Sequence, residues 1–324
     1  MQSYSYNDFR NYLEELKNHL LNKKLLQPTP IYGSFIIIIT LLLYIWWLFF
    51  IWKIHIIFTI IWFYIIIVEL WYISHDLIHN QYFKNTNINK FFSFISGNIF
   101  IWLSRSWWFK KHNLEHHTFT NSDIHDTDIR DYDEIFTKNT GKSAFFEKHK
   151  TILFWLATLL VYFNLIFLSY KFLIENKKYT ELFLNILHIF LLPLFLFLHF
   201  GIIWLFYLIC IYILVWVHLA FVFMVNHIGM EIIDGNKIKE YAWLDLQTRT
   251  SRNIVGWEII NQIFWWLNKQ IEHHLFPQVS RKNILAVWKE VEKFCKQKWI
   301  PYHNVTFIQG IKEIYHTLKT GKTL

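Results

Sequence analysis

The sequence predicts an all-α, multi-pass membrane protein with four transmembrane helices and a cytoplasmic helical cap, and three observations carry that prediction. Of 324 residues, 54% are apolar or aromatic and only 17% are charged, which would leave a water-soluble chain with more apolar surface than it can hide. The apolar residues are gathered into runs of about 20, the length a helix needs to cross hydrocarbon. Of the 17 histidines, three tight clusters lie beside the ends of those runs.

The first run, 35–52, holds no charge, and the second, 54–74, contains His55 and Glu69 and is otherwise apolar. With a short turn near Lys53 the two make a helical hairpin that returns the chain to its starting side. Three further runs follow at 151–173, 182–199 and 201–223. Histidine clusters precede and follow these three, so one site can be built from all clusters only if the chain crosses an even number of times. Run 151–173 is the one expected to lie in the interface. Lys148 and Lys150 precede it and Lys171, Lys177 and Lys178 close it, and positive flanks stay cytoplasmic. The uncharged junction His199-Phe200-Gly201 reads as a tight turn on the far face.

Four spans result, with both termini and the active site on the cytoplasmic side. No linker or composition break divides the chain. It reads as one domain: a cytoplasmic segment 1–34, a hairpin 35–74, a cytoplasmic and interfacial region 75–181, a second hairpin 182–223 and a cytoplasmic region 224–324. Within it, 93–108 is a shorter apolar segment interrupted by Gly97 and expected at the membrane surface. Residues 281–324 alternate apolar and basic side chains at helical spacing, as in Val287, Val291 and Phe294 beside Lys289, Lys293 and Lys296, and predict surface helices.

Several functions are disfavoured. The net charge of +8 is clustered beside apolar spans, where it suits anionic headgroups better than nucleic acid. The polar stretch from Met1 to about Thr29 does not read as a signal peptide. Cys210 and Cys295 are too far apart for a metal-binding pair or a disulfide framework. Asn139-Thr140-Gly141-Lys142-Ser143 imitates the end of a phosphate-binding loop, but Phe136 stands where the earlier glycine belongs and no strand precedes it.

The chemistry lies in the histidines. His75-Asp76-Leu77-Ile78-His79 follows the second span, with imidazoles at i and i+4 on one helix face. In His112-Asn113-Leu114-Glu115-His116-His117, His112 and His116 share a face, while His117 is turned about 100° away on an α-helix. In Gln270-Ile271-Glu272-His273-His274 the doublet diverges in the same way, and Gln270 stands one turn earlier as an oxygen ligand or hydrogen-bond partner. His227, in Asn226-His227-Ile228-Gly229 at the end of the last run, joins them. An imidazole-rich set with open positions suits iron, and eight histidines imply two metals. His149, His188 and His303 read as isolated hydrogen-bonded side chains. His218 is set aside too: it lies roughly 13 Å deeper than His227 along a straight helix. The acidic run 123–134 lacks the calcium-loop spacing.

These motifs resemble the membrane fatty acid desaturase family. His75 to His79, His112 to Asn121, Asp126-Thr127-Asp128-Ile129 and Gln270 to Pro277 are similar to its successive boxes, and the glutamine-initiated third box is similar to the branch of acyl-lipid, front-end and acyl-CoA desaturase-like proteins. The resemblance implies a four-span helical fold with a di-iron centre. It implies insertion of a cis double bond into an acyl chain, carried as acyl-CoA, acyl-lipid or an acyl-carrier form, with dioxygen and two electrons. The implied ligands are His75, His79, His112, His116, His117, His227, His273 and His274. Gln270, Asp76, Asn113, Asp128 and Asn226 are implied as further ligands or as outer groups that orient imidazoles. No His-Pro-Gly-Gly haem segment, dinucleotide fingerprint or iron–sulfur cysteine set occurs in the chain, so an external ferredoxin or cytochrome b5 with its reductase is the expected electron donor. The rival readings are a di-iron hydroxylase of a lipid, carotenoid or alkane, and a non-catalytic membrane metal-binding protein.

Overall fold

The computed structural model describes residues 4–51, 53–137 and 143–323. Trp52, at the end of the first predicted span, and all of the phosphate-loop imitation except Ser143 lie outside those residues.

The described chain runs through α1 (Tyr6–Asn22), α2 (Pro30–Phe50), α3 (Ile56–Ile78), α4 (Thr86–Ile95), a π-turn (Ser96–Phe100), α5 (Arg105–Trp108) and a second π-helical stretch (Phe109–His116). It continues with α6 (Thr127–Tyr132), α7 (Ala144–Glu175), α8 (Tyr179–Phe200), α9 (Ile202–His227) and α10 (Trp243–Thr250). Strand β1 (Asn253–Val255) precedes α11 (Glu258–Ile263), α12 (Gln270–Leu275) and α13 (Arg281–Gln297), and β2 (Asn304–Thr306) precedes α14 (Phe307–Thr320). The one sheet found among the described residues is a parallel β1–β2 pair of three positions each, which the all-α expectation did not include.

Helix ends follow local chemistry. Ser5 and Asp8 form a reciprocal capping box on α1, Pro30 opens α2 at its first position, and Gly201 separates α8 from α9 with φ +74, the tight turn expected there. Among the described residues, five helices, α2, α3, α7, α8 and α9, are long and apolar enough to cross a membrane. The stretch 151–173, expected in the interface, lies inside α7. At 32 residues that helix is about 48 Å long, the longest of the five, and its length and apolar composition would suffice for a crossing like those of the other four.

The residues gather into two compact units, each assembled from separated stretches: Met1–Gln27, Lys111–Leu156 and Phe221–Leu324 in one, Pro28–Lys110 and Ala157–Ala220 in the other. In the first, Leu16 and Leu20 of α1 pack with Ile271 and Leu275 of α12 and with Val287, Val291 and Phe294 of α13. The i, i+4, i+7 spacing of those α13 residues builds its apolar stripe. In the second, the α2–α3 hairpin is joined by a stacked Trp47–Phe63 pair with centroids 4.1 Å apart. The Trp47 indole N–H also donates to the Thr59 carbonyl at 3.1 Å.

Candidate metal centre

The stretch that carries His112, His116 and His117 is a π-helix up to His116. The His117 N–H bonds the His112 carbonyl at 2.9 Å, an i→i+5 closure that widens the turn. That corrects the α-helical geometry expected from the sequence. His117 is not swung away from His112; their ring centroids are 4.6 Å apart and their Nε2 atoms 3.2 Å apart. A π-turn absorbs one extra residue per turn, and here it keeps all three imidazoles on one side.

His116, His227 and His274, all buried, bring their ligand atoms within 4.8 Å of one another. They come from three places in the sequence: the end of the π-stretch, the last residue of α9 and the middle of α12. Each is fixed through its Nδ1. That of His116 meets Asp126 Oδ2 at 2.9 Å, that of His227 the Thr250 carbonyl at 3.1 Å, and that of His274 the Thr120 hydroxyl at 3.1 Å. Thr120 has one proton and three carbonyl-type acceptors around it, on His116, His117 and Gln247, so its oxygen is left to accept from His274. With Nδ1–H committed, each ring presents Nε2 as a lone-pair donor, the arrangement that metal-bound imidazoles use.

Three more histidines of this unit, His112, His117 and His273, extend the cluster. His117 stacks on His274 at 4.2 Å and meets His273 edge-on at 4.7 Å, and His112 lies 6.3 Å from His273. Gln270 places its carboxamide nitrogen 3.0 Å from His227 Nε2, while its oxygen accepts from Asn226 Nδ2 at 3.2 Å. In the second unit, His75 and His79 have ring centroids 4.7 Å apart at the end of α3, and Asp76 Oδ1 lies 3.1 Å from His75 Nδ1.

Two of the predicted supporting groups, Asn113 and Asp128, have the following contacts. Asn113 is half-buried, and its main-chain carbonyl accepts from the Thr118 hydroxyl. Asp128 pairs with Lys111 Nζ at 2.7 Å and brings a carboxylate oxygen within 4.8 Å of the ligand atoms of His116 and Asp126, while the hydrogen bond to His116 is made by Asp126. Asp126 was legible as an N-cap: it stands before α6 and accepts from the Asp128 N–H with its Oδ1, which anchors the carboxylate. Its Oδ2 accepts from the Asn121 N–H and faces His116. Burial disfavours a charged His116, but the carboxylates of Asp126 and Asp128 together raise the imidazole above its ordinary value. Sequence reasoning also missed Thr120 and Thr250, which act through a hydroxyl and a main-chain carbonyl that no spacing rule singles out.

Beneath α12, Asn253 of β1 accepts from the Ile271 N–H at 3.0 Å and donates to Glu272 at 3.0 Å. Burial pushes the Glu272 carboxyl up to about 7, against bonds from Tyr302 and Asn253 and the charge of Lys269. The small sheet thus clamps the helix that carries His273 and His274. The histidines set aside earlier have other partners: His188 bonds Tyr212 and the Ile99 carbonyl, His303 bonds Glu313, His149 bonds the Phe145 carbonyl, and His218 bonds Tyr64.

The family model for fatty acid desaturases matches residues 58–306, a stretch containing all eight predicted ligand histidines. The chain belongs to the fatty acid desaturase family. It is 29% identical over 276 residues to an acyl-lipid (9-3)-desaturase of Physcomitrium patens, covering 76% of this chain and 50% of that protein. It is 28% identical over 258 residues to the Δ6 fatty acid desaturase fat-3 of Caenorhabditis elegans, covering 71% and 57%. Against a Δ8 fatty acid desaturase of Euglena gracilis it is 27% identical over 278 residues, covering 75% and 62%. The chain spans about half to three-fifths of the length of these curated relatives. No solved structure matches it. Helices long and apolar enough to cross a membrane and the histidine cluster occur together in this chain.

Proposed function

We propose that this chain is a fatty acyl desaturase that inserts a cis double bond into an acyl chain, using dioxygen and two electrons from an external carrier, at a pair of iron ions held by histidine. The observation that carries the reading is the convergence of His116, His227 and His274 with every Nδ1 already engaged. Such a donor set fits a redox-active transition metal with open positions. Two bound iron ions would supply the oxygen-activating chemistry that side chains alone lack.

His116, His227 and His274 would hold one ion, and His75, His79, His112, His117 and His273 are the remaining proposed ligands. Asp126, Thr250 and Thr120 hold the first three rings in the tautomer that presents Nε2. Asp76 does the same for His75. Gln270 abuts the metal-facing edge of His227, and rotating its carboxamide would put the oxygen there, so it serves as an outer partner or a further ligand. Burial of the imidazoles keeps water from competing for the site. Unactivated methylenes are chemically alike, so the carbon attacked is set by how the acyl chain is held. An acyl-lipid is the substrate to test first, since that is the form named for a relative.

For topology we retain one domain with four spans, α7 lying in the interface, and with both termini and the site on the cytoplasmic side. The parity of the histidine clusters and the lysines flanking residues 151–173 support that arrangement. The electron carrier would be a ferredoxin or cytochrome b5 with its reductase.

The test is expression in a desaturase-deficient host supplied with a working electron donor, beside a His273→Ala, His274→Ala variant, with alkenes and hydroxy acids resolved by mass spectrometry. New alkenes that require the intact pair are expected. Hydroxy acids instead would establish a hydroxylase, and no product with no dioxygen consumption would return the chain to metal binding alone. A second expectation separates the two aspartates. Asp126→Asn should weaken iron retention roughly 10–100-fold against a graded chelator, the usual effect of losing a histidine's outer partner, and Asp128→Asn should change it far less. Equal effects would remove Asp126 from the role assigned to it.

A further inference from the structure

The first histidine pair is braced by a side chain outside its own motif. Asp76 offers Oδ1 to His75 Nδ1 at 3.1 Å, and its Oδ2 accepts from the Tyr82 hydroxyl at 2.6 Å. His75, Asp76 and Tyr82 are 3%, 0% and 0% exposed, so water does not compete for these bonds. Tyr82 lies six residues beyond Asp76, past the end of α3, and returns because the chain reverses at Asn80 with φ +58. The Gln81 N–H closes the reversal on the Asp76 carbonyl at 3.1 Å, and the Gln81 carbonyl accepts from the Thr29 N–H at 3.2 Å, tying the turn to the start of α2.

On α2 a notch receives the ring. A Cβ at Gly33 would stand 2.4, 2.5 and 2.9 Å from three Tyr82 atoms, closer than packed carbons approach, so any other residue there must displace Tyr82. An unbroken set of contacts therefore leads from Gly33 through Tyr82 and Asp76 to His75 Nδ1.

We propose that Tyr82 is a positioning residue for the metal site. Its hydroxyl holds the Asp76 carboxylate in the orientation that fixes the ring plane and tautomer of His75, and Gly33 provides the space in which the tyrosine can do so. The inference rests on His75 being an iron ligand. A carboxylate hydrogen-bonded on its far oxygen cannot swing away from the imidazole, and outer partners of this kind are worth about 10–100-fold in metal affinity.

The experiment compares the iron-loaded full-length chain with Tyr82→Phe, Gly33→Ala and Tyr64→Phe, measuring the rate of iron loss to an excess of a coloured ferrous chelator and the thermal midpoint of each metal-free form. Tyr82→Phe keeps the ring and its packing and removes only the hydroxyl. It is expected to lose iron roughly 10–100-fold more readily, with a metal-free midpoint no lower than that of Tyr64→Phe, which likewise removes one Tyr hydroxyl bond in the same unit. Tyr64→Phe itself should retain iron as the parent does. Gly33→Ala should also speed iron loss with the hydroxyl present, and its Cβ, by displacing the buried ring, should lower the metal-free midpoint as well. Iron retention by Tyr82→Phe equal to the parent's overturns the proposal, as does iron loss by Tyr82→Phe accompanied by a metal-free midpoint well below that of Tyr64→Phe. A parent chain that holds no iron would instead fail the metal reading itself, and this inference with it.

Discussion

His227→Ala is expected to abolish double-bond formation and to release iron at least about 100-fold more readily, beyond the range seen for outer partners alone, while His218→Ala on the same helix leaves both close to the parent. The two histidines sit nine residues apart on α9 with different partners. His227 ends the helix with Nδ1 on the Thr250 carbonyl and its ring 4.7 Å from both His116 and His274. His218 is bonded to Tyr64, so its loss costs packing and one hydrogen bond. The check is iron per chain by elemental analysis together with product by mass spectrometry. An iron-replete, active His227→Ala variant would remove the one ligand assigned from outside the three clusters.

The second large effect is expected at Glu313→Gln. Arg252 is fully buried, and its side chain caps the end of α9. Nε donates to the Val225 carbonyl at 2.7 Å, Nη2 donates to the Ile228 carbonyl, and Nη1 pairs with Glu313. Its own N–H donates to the Asn226 carbonyl at 3.0 Å. Gly229 makes the approach feasible: with φ +93 and Arg252 Nη2 only 3.2 Å from where a Cβ would lie, no larger residue suits the position. Removing the carboxylate leaves a guanidinium buried and uncompensated, which typically costs about 3–5 kcal/mol. A lower thermal midpoint in detergent should show it.

The same pair sets an acid dependence. Burial alone would raise the Glu313 carboxyl, but His303, Gln309 and Arg252 hold it at about 2, below its ordinary 4.5. The unfolded chain therefore takes up a proton at higher pH than the folded one does. The stabilisation is fully present above pH 4.5 and is lost as pH falls toward 2. Thermal midpoints across that window should fall more steeply for the parent than for Glu313→Gln. Parallel curves would assign the acid loss to other carboxylates.

Helix α9 illustrates what a sequence can and cannot say about such a site. Its apolar run and its terminal histidine were visible as pattern, since a bilayer and a metal each impose a local rule: span length for one, ligand type and spacing for the other. Arg252 and Glu313, which hold its end, lie 61 residues apart and follow no period. The choice between Asp126 and Asp128 was half legible, because N-capping marks the first of them, yet which carboxylate meets His116 depends on where α6 is set.

What the sequence determined by itself was the helical membrane class, the places of the histidine boxes and the family they belong to, because hydropathy and imidazole spacing act over one or two turns of chain. What only the tertiary structure decided was the widened π-turn at residues 109–116, the pairing of Asp128 with Lys111 and the notch at Gly33 that admits Tyr82. Each of these is a choice among locally equivalent conformations, and it is settled by packing and buried hydrogen bonds between residues distant in sequence, where a single unsatisfied polar group costs more than any local propensity contributes.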